Sequence, residues 1–192
     1  MLKDSIYRTL VFFDIFNYPL TAPQIWEYLD EQCELGEVYE ELSRMEEGRL
    51  RSKHGFFFLP GEGPPGGGKV EERKKRYNYS CHKIKKAKRI SQVFKYIPGV
   101  KMVALSNLIG THNMRYESDL DMFIIVSPRR LWLTRFFCVA ITSLLRLRPT
   151  PTKQRDKICL NFFLSEDRMD ISDTMIEEDV YFYHWMAGLL PI

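Results

Sequence analysis

The stretch that most constrains this chain is a pair of short apolar runs. One includes Val103, Ala104 and Leu105; the other, Leu120 to Val126, begins within Ser118-Asp119-Leu120-Asp121. Both are rich in Val, Ile, Leu and Phe and too short for ordinary helices, so each reads as a buried strand. Side chains two apart in a strand share a face, so Asp119 and Asp121 point one way and Leu120 the other. Two carboxylates held that close beside an apolar strand are costly to bury unless a cation lies between them. Mg²⁺ or Mn²⁺ suits such a pair, because it takes one or two carboxylates together with substrate phosphates. The plainer alternative is that both aspartates cap a strand and face solvent.

The 192 residues suffice for one large domain or two small ones, and a net charge of +3 gives no strong global field. Cys33, Cys81, Cys138 and Cys159 lie far apart without metal spacing, which points to a reducing, cytoplasmic setting. Lys3, Asp4, Arg8 and Asp14 interrupt the N-terminal apolar pattern, so it is not read as a signal peptide. The longest apolar run, Phe136 to Leu145, suits a buried core helix better than a span, and no membrane partner is expected.

Residues 1–60 read as three helices and a hairpin, a winged helix-turn-helix. Ile6, Leu10, Phe13 and Phe16 recur at helical spacing; Thr21 caps a second helix carrying Ile25, Trp26 and Leu29; Val38, Leu42 and Met45 line a third, closed by Gly48. Two short strands flank the turn His54-Gly55. Glu37, Glu40, Glu41, Glu46 and Glu47 make the third helix acidic, so a packing or protein-contact role is favoured over DNA reading. The Pro/Gly stretch 61–68 is a linker, and residues 69–192 form the second domain. That domain opens with Lys69 to Arg89, where ten Lys or Arg stand against two Glu. Tyr77, Cys81, Ile84, Val93 or Phe94 and Ile97 are its expected inner face. The outer face is either a footprint for RNA, DNA or a polyphosphate or a solvated surface.

A buried helix is expected from Arg129 to about Leu145. Arg129, Arg130 and Arg135 at its start are able to neutralise a triphosphate or to pair with surface acids. Ile158 to Leu164 is a third strand with Asn161 inside it, and Asp179 to Leu190 reads as a helix ending at Pro191. The chain stops there without a polar tail, as a fragment of a longer protein would.

A small polar turn, a spacer, then Ser-Asp-Leu-Asp and apolar residues resembles the polymerase-β-like nucleotidyltransferase superfamily, in the branch with an N-terminal winged helix. Phe13 to Thr21 and the Lys-Ile-Cys-Leu-Asn strand at Lys157 to Asn161 extend the likeness along nearly the whole chain. The resemblance implies an α/β (α+β) chain with a winged helix ahead of a nucleotidyltransferase core of mixed sheet and packed helices. It implies an NTP substrate and Mg²⁺ or Mn²⁺ on Asp119 and Asp121. Its phosphate turn falls on Asn107-Leu108, behind Ser106, in one register or on Gly110-Thr111 in another, with Ser118, Arg129 and Arg135 as further nucleotide contacts. The family's third strand carboxylate falls on Asn161, an amide that cannot take a proton at neutral pH; Glu166 and Asp167 are the nearby substitutes. Two functions follow as expectations. One is transfer of a nucleoside monophosphate from NTP to a hydroxyl acceptor, and the other is a non-catalytic nucleotide-, nucleic-acid- or protein-binding module on the same fold.

Overall fold

The computed structural model describes residues 1–45, 50–61, 68–106, 112–177 and 179–192. It is a mixed α/β chain with six α-helices and two sheets among the described residues, divided into two compact units, Met1–Lys75 and Arg76–Ile192. The division falls inside a helix rather than in the 61–68 stretch, most of which lies outside the described residues, as do Glu46, Glu47 and Gly48.

The first unit comprises α1 (Leu2–Ile15), β1 (Leu20–Thr21), α2 (Ala22–Glu27), α3 (Leu35–Met45), β2 (Arg51–Lys53), β3 (Phe56–Phe58) and the opening turns of α4 (Lys69–Phe94). Ile6, Leu10 and Phe13 are buried on α1, and Val38, Leu42 and Met45 on α3. A capping box of Thr21 and Gln24, with proline in the first turn, starts α2. Trp26 does not join the apolar stripe of this six-residue helix. Its indole N–H donates to the Cys33 carbonyl at 2.8 Å and leaves the ring half exposed. His54 and Gly55 both take positive φ, 53° and 77°, the turn that matches the twist of a two-stranded hairpin. The small sheet is antiparallel in the order β1-β3-β2.

The second unit holds the rest of α4, then β4 (Val100–Leu105), β5 (Leu120–Val126), α5 (Leu131–Leu144), β6 (Ile158–Ser165), α6 (Val180–Ala187) and β7 (Leu190–Pro191). Its sheet runs β6-β5-β4-β7, with β5 and β6 parallel and the other pairs antiparallel. The last helix is shorter than its sequence suggests. Asp179 caps it by accepting from the Phe182 N–H at 2.8 Å, it ends at Gly188, and Leu190–Pro191 crosses to the edge of β4.

One face of this sheet (Val103, Leu105, Leu120, Met122, Ile124, Ile158 and Leu160) packs against Ala87 and Phe94 of α4 and Cys138 of α5. The opposite face carries Ala104, Phe123 and Ile125, covered by Trp185 and Leu189. The inward side of α4 is apolar as expected only in its later turns, where Ile84 and Phe94, and then Ile97, pack on the core; ahead of them stand Arg76, Ser80 and Lys83, and Tyr77 is half exposed. The reason is what the helix packs on: its early turns face the loop entering β5, whose polar groups need donors and acceptors rather than methylenes. Arg76 donates to Asn113 Oδ1 at 3.0 Å, Ser80 Oγ accepts from the Met114 N–H at 2.9 Å, and Lys83 Nζ donates to the Ser118 carbonyl at 2.5 Å.

The buried helix expected after Pro128 is α5, but only one side of it is covered. Thr134, Cys138 and Thr142 face the sheet, while Trp132, Leu133, Phe136 and Leu144 are exposed. A single helix laid on one sheet face buries only the stripe turned toward it, whatever the residues on its far side. No described helix is long and apolar enough to cross a membrane.

Candidate functional site

Period-two alternation turns Leu120, Met122 and Ile124 toward α4 and α5, so Asp121 and Phe123 occupy the opposite face of β5. Asp119, just before the strand, joins Asp121 there. On neighbouring β6, Cys159 stands directly opposite Asp121. One oxygen from each aspartate and the Cys159 sulfur lie within 4.8 Å of one another, all three side chains half-buried.

Asn161, two residues after Cys159 on the same strand, reaches the same place, and a β-bulge lies beside it. Asp121 pairs with Cys159 and Phe123 with Phe162, so β6 has one residue more than β5 between those points. Its amide Nδ2 donates to Asp121 Oδ1 at 2.5 Å, and its Oδ1 accepts from the Cys159 thiol at 2.7 Å. The amide therefore joins the thiol to the carboxylate and orients both. Burial, and then the charges of Asp121 and Asp119, push the Cys159 thiol up to about 11, against an opposing pull from Arg148. With no cation beside it the sulfur is a thiol at neutral pH and donates to Asn161. The two carboxylates offer hard oxygens that would suit Mg²⁺ or Mn²⁺, with the Cys159 sulfur in the same cluster.

The approach to this site is set from behind. Lys83 lies almost wholly buried and bridges the Ser118 carbonyl to Asp156 Oδ1, 2.8 Å away. The Asp156 N–H donates to the same Ser118 carbonyl at 3.1 Å, and the Leu120 N–H donates to the Lys157 carbonyl at 2.8 Å. One ammonium thus ties together the segments that enter β5 and β6. Burial alone would raise the Asp156 carboxyl, but the Lys83 hydrogen bond and charge outweigh it and hold the group below its ordinary value.

The other expected site residues are distributed unevenly. Ser106 follows β4 and is buried; its N–H donates to the Asp121 carbonyl at 2.9 Å, so it steadies the strand carrying the acid. The Ser118 hydroxyl donates to the Arg115 carbonyl at 2.9 Å within its own turn. Asn107, Gly110 and Thr111 lie outside the described residues. The far end of β5, Val126, is five residues or about 17 Å from Asp121 along the strand at ~3.3 Å per residue, and Arg129 and Arg135 follow it in the chain. The Arg135 guanidinium lies 5.1 Å from the Phe163 ring centroid, and Phe163 packs with the core on the helix side of the sheet. Glu166 and Asp167 are likewise at the wrong end: the Glu166 N–H donates to the Val126 carbonyl, and Asp167 accepts from the Ser165 hydroxyl. Neither substitutes for a third carboxylate beside Asp121.

Residues that sequence reasoning passed over are Cys159, Lys83 and Arg148, which donates to the Ile158 carbonyl at 3.4 Å. Cys159 carried a usable signal, since it stands two before Asn161 in a strand and so shares its face. Lys83 and Arg148 carried none, being two cations among many. No protein-family model matches the chain, no curated protein matches it, and no solved structure matches it.

Proposed function

We propose that the chain is a nucleotidyltransferase of the polymerase-β-like kind, transferring a nucleoside monophosphate from an NTP to a hydroxyl acceptor with release of pyrophosphate. The observation that carries the reading is the meeting of Asp119 and Asp121 with Asn161 on the sheet face away from α4 and α5. Asp119 and Asp121 hold Mg²⁺ or Mn²⁺, which when bound neutralises triphosphate charge and acidifies an attacking hydroxyl. Ser106 keeps the Asp121 backbone in place, and Lys83 keeps that of Ser118. Asn161 orients Asp121 but takes no proton, and absence of a positioned base costs about 10²–10⁴-fold in rate, so turnover is slow. The same amide favours a second reading, a module that binds nucleotide, nucleic acid or protein without catalysis.

The first unit is a winged helix in this reading, with three helices and a hairpin, and its acidic α3 makes it a packing or protein-contact module. Nucleic acid or polyphosphate would meet Lys74, Lys75, Lys85, Lys88 and Arg89, the exposed cations of the basic segment. Lys69, Arg73, Arg76 and Lys83 of that segment hydrogen-bond within the chain instead. Melting temperature with Mg²⁺ or Mn²⁺ and each NTP, tried singly, tests the reading. Metal with one NTP should raise it, and Asp119→Asn or Asp121→Asn should abolish the rise. Absence of any metal-dependent rise in the wild-type chain would reject it.

A further inference from the structure

The outward side of α5 is an apolar surface on a segment of one charge sign. Trp132 is 80% exposed, Phe136 64% and Leu144 83%, and Leu133 and Ala140 complete the same stripe along the helix. Fourteen residues at ~1.5 Å each make this stripe about 21 Å long. From Pro128 to Arg148 there are five arginines and no Asp or Glu. Arg135 and Arg148 are engaged within the unit, but Arg129, Arg130 and Arg146 are exposed at the two ends of the helix. The neighbouring α4 extends the field. Its end is fixed to α5 where Thr134 Oγ1 donates to the Pro98 carbonyl at 3.1 Å, and a Cβ on Gly99 would come within 2.5 Å of that hydroxyl. Lys85, Lys88 and Arg89 are exposed on α4 and Lys95 and Tyr96 just after it, and Arg76 to Pro98 also contains no acid.

We propose that this face of α5 lies flat on an anionic lipid surface. Trp132, Leu133, Phe136 and Leu144 enter the boundary between headgroups and acyl chains, and the exposed arginines at both ends meet lipid phosphates. Two features select this occupant. Aliphatic side chains as exposed as Leu144 add nothing to binding of a purely polyanionic partner, whereas a bilayer takes both the apolar stripe and its cationic ends. A second copy of the chain would set arginine against arginine, with no carboxylate in the segment to pair them. A helix too short to span is long enough to lie in the interface, so the expectation of no membrane partner, drawn from length, does not extend to this geometry. The inference is independent of the proposed chemistry at Asp119 and Asp121.

Flotation of the full chain with phosphatidylcholine vesicles, with and without about 30% phosphatidylglycerol, tests it. The chain should float with the anionic vesicles and weaken by roughly fivefold for each arginine removed in Arg130→Gln and Arg146→Gln. The double variant Trp132→Ser/Phe136→Ser should lose about 100-fold in vesicle affinity while melting as the wild type does, since both side chains are already exposed. Equal binding to neutral vesicles, or flotation of the double variant at wild-type affinity, overturns the proposal. So does a wild-type dimer that the double variant makes monomeric, with neither form binding vesicles: the occupant is then a second copy.

Discussion

Lys83→Met removes one ammonium and little volume, so its cost can be worked from its contacts. Lys83 is 4% exposed and holds two acceptors, the Ser118 carbonyl at 2.5 Å and Asp156 Oδ1 at 2.8 Å. Loss of a hydrogen bond to a charged group costs about 1.5–3 kcal/mol, and removal of one partner from a buried pair about 3–5 kcal/mol. The Asp156 side chain is 31% exposed and has Arg155 Nε 3.9 Å away, so it is not stranded without solvent or countercharge. The lower part of the range applies, about 2–3 kcal/mol. At roughly 3 °C per kcal/mol the second unit should melt about 6–9 °C lower. Hydrogen exchange locates the effect: the Leu120 and Asp156 amides, which donate into the two tied segments, should exchange faster, while those of the Arg51–Phe58 hairpin should not. A cycle with Asp156→Asn should give a coupling energy of about 1–2 kcal/mol. A variant within about 0.5 kcal/mol of wild type, or a coupling energy near zero, would refute the bridging role.

The acid limb of stability should carry the same signature. The Asp156 carboxyl is held below its ordinary 3.8 in the folded chain, so near that pH the unfolded chain binds more protons. Its contribution is complete above 3.8 and lost as pH falls below it; Lys83→Met should flatten that limb in an acid titration, and an unchanged slope would count against the pairing. Asn161→Asp replaces a donor on Asp121 by a like charge, so the metal-free chain should lose about 1–2 kcal/mol in urea unfolding, recovered when Mn²⁺ is added. If the carboxylate is the missing base, the same variant should also raise turnover. In the first unit, Arg73→Met should cost about 2–3 kcal/mol, because the guanidinium sits 3.8 Å from the Tyr18 ring centroid, 4.8 Å from that of Phe56, and donates to Pro19 and Gln24. Arg73→Lys should recover only part of it, since an ammonium lacks the planar fork.

The strands of the second unit were legible because their apolar runs are short and β-branched, and a period of two is enough to bring Asp119 and Asp121 together. The partners of those acids were less legible. Alternation through Ile158 to Leu164 puts Asn161 with Cys159 but gives no warning of the extra residue that follows. The polar stripe of α4 was invisible for a different reason. Arg76 donates to the Asn113 side chain and Lys83 to the Ser118 carbonyl, both in a loop far away in sequence, and nothing local separates them from lysines that face solvent. The exposure of α5 was misjudged because apolar content signals burial only when something is present to cover every side. Arg129 and Arg135 looked close to Asp121 in sequence, but a seven-residue strand carries them to its other end.

The bulge in β6 has a bearing on how the sheet finds its alignment. A regular strand slid by two residues presents the same faces to its neighbour, so alternation alone leaves several near-equivalent alignments. Here the halves of β6 are out of phase. Cys159 and Asn161 face α6's side of the sheet before the extra residue, and Phe162 and Leu164 after it. Any slide would leave the kink opposite an unbroken part of β5 and separate the Phe123 and Phe162 rings, which are stacked 5.0 Å apart at 7°. The irregularity therefore acts as a key, admitting one alignment of β6, the one that sets a thiol and an amide beside Asp121.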